Sequence, residues 1–383
     1  MEQFSTECIG IDIGDKWCVI RGVDDVNGEV EVIRKARIET KPRELRAFFK
    51  GLDPTRLILE ASTHSPWVSR LLADVGHDVF VVNPRRVQLI SENNYKDDET
   101  DAELLARLGR ADIKLLSPIE HREENCQADL VKIRARAVLV RMRSSLITSV
   151  RGSVKSFGGR IPSCSSESFG KKAREHLPEL IRDTMELLLS KIQELTATIR
   201  RLDRELEKLG KQRYPEVQRL LQIPGVGPVT ALCFVLIIQQ PERFESNRSV
   251  GAYIGLCPGR NQSGEQDPEC RITKAGDGYL RQLLVQCGHW TLNFGSDSDL
   301  KRQGQRILDR GGKYARQKAA VAVARKLSVL MLTLWKTGKE YEPLYHASRQ
   351  EEKQNKYQHT YKLDDTQSVD GQADNEARVG APA

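Results

Sequence analysis

The first eighty residues alternate apolar and polar positions in the manner of β-strands. Cys8–Ile13, Trp17–Asp24 and Glu29–Ile38 are runs rich in β-branched residues, separated by Gly14-Asp15 and Asn27-Gly28, which predicts a three-stranded meander. Arg43–Phe49 reads as a helix, Leu57–Glu60 as a short buried strand and Trp67–Val75 as a second helix. Val79–Val82 gives a further strand, closed by Asn83-Pro84, and a helix carrying Leu104, Leu105 and Leu108 follows. Antiparallel strands succeeded by helix, strand, helix and strand predict an α/β layer built on a mixed sheet.

From about Arg122 the period becomes helical. Asp129–Phe157 sets Leu130, Ile133, Ala137, Val140, Leu146 and Val150 beside a line of arginines, and Gly158-Gly159 with Pro162 ends it. The next helix spaces Ile181, Met185, Leu188, Ile192, Leu195, Ile199, Leu202, Leu206 and Leu209 alternately by four and three, the pattern of a coiled coil. A zipper between two copies and an antiparallel hairpin with the preceding helix both satisfy it. After Gly210–Pro215 come helices at Val229–Gln239, Tyr279–Asn293 and Lys313–Trp335, with a loop at Pro258–Asp277. The expected organisation is an α/β domain over 1–120, a basic helix and coiled coil over 121–212, a mainly helical domain over 213–345, and a polar tail over 346–383 that lacks the apolar residues to order itself.

Composition narrows the function only a little. The formal net charge of +7 favours a polyanionic partner without requiring one. Eight cysteines are scattered, with neither a C-x-x-C pair nor a zinc-spaced Cys/His set, so buried free thiols in a reducing cytoplasm are expected. The longest apolar run, Ala231–Ile238, is too short to span a bilayer, and no membrane partner is expected.

Acids stand where strands should be apolar. Asp12 follows Ile9-Gly-Ile and Glu60 follows Leu57-Ile-Leu. A carboxylate at the end of a buried strand is costly unless paired or bound to a cation, although an Asp before Gly14 also serves as a turn cap. In Lys96-Asp-Asp-Glu-Thr-Asp-Ala102, Asp98 and Asp101 share a helix face, and so do Asp97 and Asp101; acids at a helix start are also common in their own right. Two strand-end carboxylates and a helical acid pair would suit Mg²⁺ (or Mn²⁺) engaged in phosphoryl transfer.

Farther on, Ile223-Pro-Gly-Val-Gly-Pro228 has the look of a helix-hairpin-helix turn, in which the amides of Gly225 and Gly227 would meet a phosphate; an ordinary interhelical turn is the alternative. The basic helix offers Arg134, Arg136, Arg141, Arg143, Arg151 and Lys155 to an RNA backbone, or equally to solvent. Ser263, in Gln262-Ser-Gly264, lies on a loop bordered by Arg260, Arg271, Lys274 and Arg281. On residues alone it reads as a polar turn.

Over roughly residues 8–340 the set resembles the DEDD-type insertion-sequence transposases of insertion-sequence family 110, recombinases guided by a bridge RNA. Gly10-Ile-Asp12, Leu59-Glu60 with Ser62, Trp67 and Val82-Asn-Pro84, and Lys96 with Asp98, Asp101 and Ala102 match the N-terminal motifs. Ile223-Pro-Gly-Val-Gly227, Arg243-Phe244, Tyr253-Ile-Gly-Leu-Cys-Pro258, Gln262-Ser-Gly264, Ile272-Thr-Lys274 and Val321-Ala-Val-Ala-Arg-Lys-Leu327 match the C-terminal ones. The resemblance implies a RuvC-like, RNase H-type N-terminal fold and a C-terminal transposase domain. It implies Asp12, Glu60, Asp98 and Asp101 as catalytic metal ligands and Ser263 as the catalytic nucleophile. DNA, a guide RNA and further copies of the chain, as a dimer or tetramer, are the implied partners. Asp97 and Glu99 depart from the usual motif. A metal-only junction resolvase or nuclease is the rival reading, ahead of an actin-like kinase or a non-enzymatic RNA-binding scaffold.

Overall fold

A computed structural model describes residues 6–84, 97–260, 262, 270–346 and 348–349, which fall into two units meeting in sequence at Glu123 and Glu124. The N-terminal unit holds a five-stranded mixed sheet of order β3-β2-β1-β4-β5. Its strands are β1 (Cys8–Ile13), β2 (Trp17–Val26), β3 (Glu29–Glu39), β4 (Arg56–Glu60) and β5 (Asp78–Val82). The meander β1–β3 is antiparallel, while β4 runs parallel to both β1 and β5. The alternation read from the sequence is therefore the alternation of the two sheet faces.

On one face Ile9, Ile11, Leu57 and Leu59 pack with Leu45 and Phe49 of α1 (Pro42–Phe49) and with Val68 and Leu72 of α2 (Ser65–Val75). On the other, Cys8, Ile58 and Val82 pack with Leu105 and Ala106 of α3 (Asp98–Ala111). Gly10 belongs to this second face. A Cβ there would overlap the Ala102 carbonyl oxygen and crowd the Ala106 amide, so the missing side chain is what seats α3 directly on β1. The buried stripe of α3 (Ala102, Leu105, Ala106, Gly109) continues toward its start through Asp98 and Asp101.

The second unit is helical. Its centre is α8 (Pro228–Ile238), buried without interruption from Thr230 to Ile238, which explains why its sequence shows no polar face. Around it pack α10 (Gly278–Phe294) and α12 (Ala315–Thr337), together with the opening of α4 (Glu124–Ser156) and the end of α6 (Arg182–Arg213). Shorter helices complete the unit: α5 (Phe169–Arg174), α7 (Glu216–Leu220), α9 (Ser249–Tyr253) and α11 (Asp299–Asp309).

The long helices α4 and α6 form an antiparallel hairpin within the chain. Arg213 donates to Asp129 at 2.9 Å, Arg136 pairs with Asp203, and Arg143 donates to Thr196 at 3.3 Å, so residues advance along one arm as they recede along the other. This corrects the heptad seam. Met185, Ile192, Ile199 and Leu206 are buried as expected, but the second buried column is Leu189, Thr196 and Gly210. Leu188, Leu195, Leu202 and Leu209 sit half-buried on the flank. The seam turns toward Thr196 and Asp203 because α4 presents the half-buried Arg143 and Arg136 there, and their terminal N–H groups find polar partners in those side chains. At the hairpin base the Asp129 carboxylate, only 1% exposed, accepts from Lys132, Arg213 and Tyr214, which satisfies a charge that would otherwise be costly to bury. Among the described residues no helix is long and apolar enough to cross a membrane.

Candidate active site

The sheet brings the strand-end acids side by side. In the parallel pair β1–β4, Gly10 faces Ile58 and Ile11 faces Leu59; continuing that register by one residue sets Asp12 abreast of Glu60. Both lie on the face that carries α3, since they follow Gly10 and Ile58 at a spacing of two. Helix α3 contributes Asp98 and Asp101 from its first turn, on the same stripe that packs against β1. One carboxyl registers the convergence. Partial burial, followed by the negative charges of Asp98, Asp101 and Glu60, pushes Asp12 up to about 6, against a weaker opposing hydrogen bond from the Ile13 backbone.

The two departures from the family motif have other partners. Asp97 occupies the N-cap position of α3 and accepts from Thr100 Oγ1 at 3.3 Å. Glu99 forms an ion pair with Arg21, a nearly buried β2 residue whose guanidinium also donates to the Ile20 carbonyl. Sequence reasoning did not single out Arg21, although an arginine within the apolar run Val19-Ile20-Arg21-Gly22-Val23 was the available signal. Beyond Glu60 the turn is fixed by Ser62 and Ser65, each of which donates its backbone N–H to the other's hydroxyl. The Ser65 hydroxyl is also hydrogen-bonded to His121 Nε2 at 2.8 Å. Trp67 Nε1 donates to His64 Nδ1 at 3.2 Å.

Among the described residues no three His, Cys, Asp or Glu side chains are gathered tightly enough to enclose an ion. The all-oxygen donor set of Asp12, Glu60, Asp98 and Asp101 nonetheless fits Mg²⁺, which keeps much of its water and is commonly held by one or two carboxylates together with substrate phosphates.

Ser263 lies outside the described residues, but the two ends of its loop are in place. Gly259 donates its N–H to the Arg271 carbonyl, Thr273 donates to Cys257, and Pro258 bridges Ile272, so the loop is closed by a short antiparallel stem. Arg281 braces that stem by donating to the carbonyls of Ile254 and Ala275, while Arg260 and Lys274 are exposed. Lys274 adopts φ 54, an uncommon conformation for a residue with a side chain. In the other glycine-rich turn, Gly225 (φ 89) lies against the Trp290 ring, whereas nothing lies within 4 Å of where a Gly227 side chain would begin.

The six cations proposed for RNA contact on α4 are largely engaged within the chain. Arg134 pairs with Asp277, Arg136 with Asp203 and Arg143 with Thr196, and Arg151 donates to the carbonyls of Ile161 and Pro162. Arg141 is exposed and Lys155 likewise.

Two transposase family models cover most of these positions. The model for DEDD transposases of the IS110 type matches residues 9–157, and the model described as the transposase IS116/IS110/IS902 family matches residues 217–305. A Sinorhizobium fredii protein that carries the name of a transposase (y4pF/y4sB) is 30% identical over 338 residues, covering 87% of this chain and 85% of its own. The chain belongs to the IS110 family of transposases. The transposase for insertion sequence element IS1111A of Coxiella burnetii is 25% identical across 85% of this chain and 88% of its own. That for IS1328 of Yersinia enterocolitica is 28% identical across 73% and 82%. The transposase therefore acts for a mobile element, and its family cleaves and rejoins DNA.

The pairing of Glu99 with Arg21 gives it a partner within the fold, and substitution can test whether it differs from Asp98 and Asp101 in function. Glu99→Gln keeps a hydrogen-bond acceptor beside the buried Arg21 guanidinium while removing the charge, so transposition should stay within about threefold of wild type and stability should fall by about 1–2 kcal/mol. Asp98→Asn and Asp101→Asn should each abolish transposition in the same assay. Equal loss in all three variants would show that the first turn of α3 works as an undivided acidic patch.

Proposed function

We propose that this transposase is an RNA-guided DNA recombinase that excises and inserts its element through a phosphoserine intermediate. Its N-terminal unit would be a RuvC-like, RNase H-type catalytic domain holding Mg²⁺ (or Mn²⁺). The observation that carries the reading is the convergence of Asp12, Glu60, Asp98 and Asp101 on one edge of the sheet, reported by the raised Asp12 carboxyl. A carboxyl held above its ordinary range by burial and by three neighbouring carboxylates is one whose ionised form a bound divalent cation would stabilise. A bound Mg²⁺ would polarise the phosphate and neutralise charge that develops during transfer.

The role of Ser263 is supported by the Gln262-Ser-Gly264 motif and the cationic loop ends around it. Its hydroxyl would attack the phosphorus, forming an Oγ–P bond as the bond to the leaving strand breaks. One phosphate ester replaces another, so rejoining by the reverse attack needs no external energy source. Arg260, Arg271, Lys274 and Arg281, which border the loop in sequence, are candidates for stabilising the transferred phosphate or ordering the loop that carries the serine. Gly225 and Gly227 would contact DNA backbone without reading sequence, and base pairing with the guide would supply target choice. The exposed Arg141 and Lys155 are the members of the basic helix best placed for RNA. Self-association is supported by exposed Val131, Val138 and Met142 on α4 and by the half-buried leucine column of α6.

The decisive experiment is reconstitution with the RNA encoded beside the gene, comparing wild type with Ser263→Ala and Asp12→Ala. Both substitutions should reduce recombination to background, with RNA binding unchanged. DNA cutting that survives Ser263→Ala but not Asp12→Ala would instead establish a metal-dependent nuclease without serine covalency.

A further inference from the structure

The helical unit contains a cleft of about 1470 Å³, larger than the ~300–1,000 Å³ usual for small-molecule sites, with one wall formed by α12. Eight lysines and arginines line it against three carboxylates. Arg248, Arg271, Arg310, Arg325 and Lys326 are among them, and none of these five forms an ion pair with any described residue. Four of the six cations considered on α4 are engaged within the fold, whereas these five stand together on one cleft. The floor between the cations is apolar, formed by half-buried Val321 and Leu330. At the edge stands Tyr314, 60% exposed, with Lys313 Nζ 5.3 Å from its ring centroid and its backbone held at φ 67, a strained conformation for an aromatic residue.

We infer that this cleft holds a single strand of DNA, with phosphates on Arg248, Arg310 and Arg325 and an unpaired base stacked on Tyr314. Polyanion charge is what unpaired cations converging on one cleft from three segments complement. An exposed ring beside them selects an unpaired base, because a duplex hides its base faces in its own stack. The choice of DNA rests on the function proposed above: the stem of the Ser263 loop supplies Pro258 and Arg271 to the cleft wall, so a strand lying there would be the one presented to the serine.

Fluorescence anisotropy on the full chain tests this with a labelled single-stranded DNA, its duplex and the same sequence as RNA. The single-stranded DNA should bind tightest. Arg310→Ala combined with Arg325→Ala should weaken it about tenfold and lower the salt dependence, log K against log salt, by about 1.4, or ~0.7 for each phosphate left without its cation. Tyr314→Ala should weaken it by a further ~10-fold and Tyr314→Phe should restore it. Lys171→Ala with Lys172→Ala, exposed on α5, serves as the charge-matched control and should leave affinity unchanged. Tighter binding of duplex or RNA, equal weakening in the control, or Phe failing to rescue would overturn the inference. Ser263→Ala should bind as wild type does; failure of the serine chemistry would appear in recombination and leave these affinities standing.

Discussion

Substituting Gly10 by alanine should lift α3 from the sheet and produce a large loss of stability from a single methyl group. The new Cβ meets the Ala102 carbonyl oxygen and the Ala106 amide, which belong to helix backbone and cannot rotate aside. Overpacking of well-ordered elements costs about 1–3 kcal/mol, and an obstruction made of main chain belongs at the upper end. A thermal melt should fall by roughly 10 °C on the scaling for a domain of this size. Transposition should be lost with it, because Asp98 and Asp101 travel with α3. An unchanged melt would mean that α3 is already able to slide along β1.

The second large effect has opposite signs on stability and function. Asp12→Asn should abolish recombination while stabilising the metal-free protein at pH 7.5. In the folded chain, burial and the charges of Asp98, Asp101 and Glu60 hold the Asp12 carboxyl at about 6, above its ordinary 3.8, so the folded state binds this proton more tightly than the unfolded state does. The contribution from Asp12 is therefore favourable below pH 3.8 and is lost as pH rises through 6; at neutral pH the ionised group is a net cost. Because the group is partly solvated, the gain on removing its charge should be on the order of 1 kcal/mol, roughly 4 °C in the melt. Wild type should lose this increment between about pH 4 and about pH 6.5, and the variant should not. A melt that falls in Asp12→Asn at neutral pH would indicate that the carboxylate is held by a cation of the protein's own.

Much of this site was legible in the chain, and the physics explains which parts. Asp12 and Glu60 stood out because a period of two leaves no ambiguity about which face a strand residue occupies, and each interrupts an otherwise apolar run. The choice between Asp97 and Asp98 was not legible from spacing, since both share a helix face with Asp101; the fold differentiates their surroundings by placing Asp97 at the cap and Glu99 on Arg21. The heptad of α6 was read correctly in one column and misplaced in the other. Leucines at 188, 195, 202 and 209 outscore Thr196 and Asp203 in any hydrophobic pattern, yet the partner helix presents arginines. The cations of α12 were missed for the converse reason: Lys318, Arg325 and Lys326 are embedded in the apolar run that made the helix recognisable. Sequence periodicity reports which face is buried, but not what the facing element carries.

The polar rungs between α4 and α6 also limit how this arm can change over evolutionary time. Asp129 with Arg213, Arg136 with Asp203 and Arg143 with Thr196 recur at intervals of seven on the first helix, like teeth on a ratchet. A single-residue insertion would rotate every later tooth by about 100° and strand a guanidinium in an apolar seam. Deleting seven residues from both arms would shorten the hairpin by about 10.5 Å and leave the remaining teeth engaged. The arm is thus a ruler graduated in heptads, and length variation among its relatives should fall on those graduations.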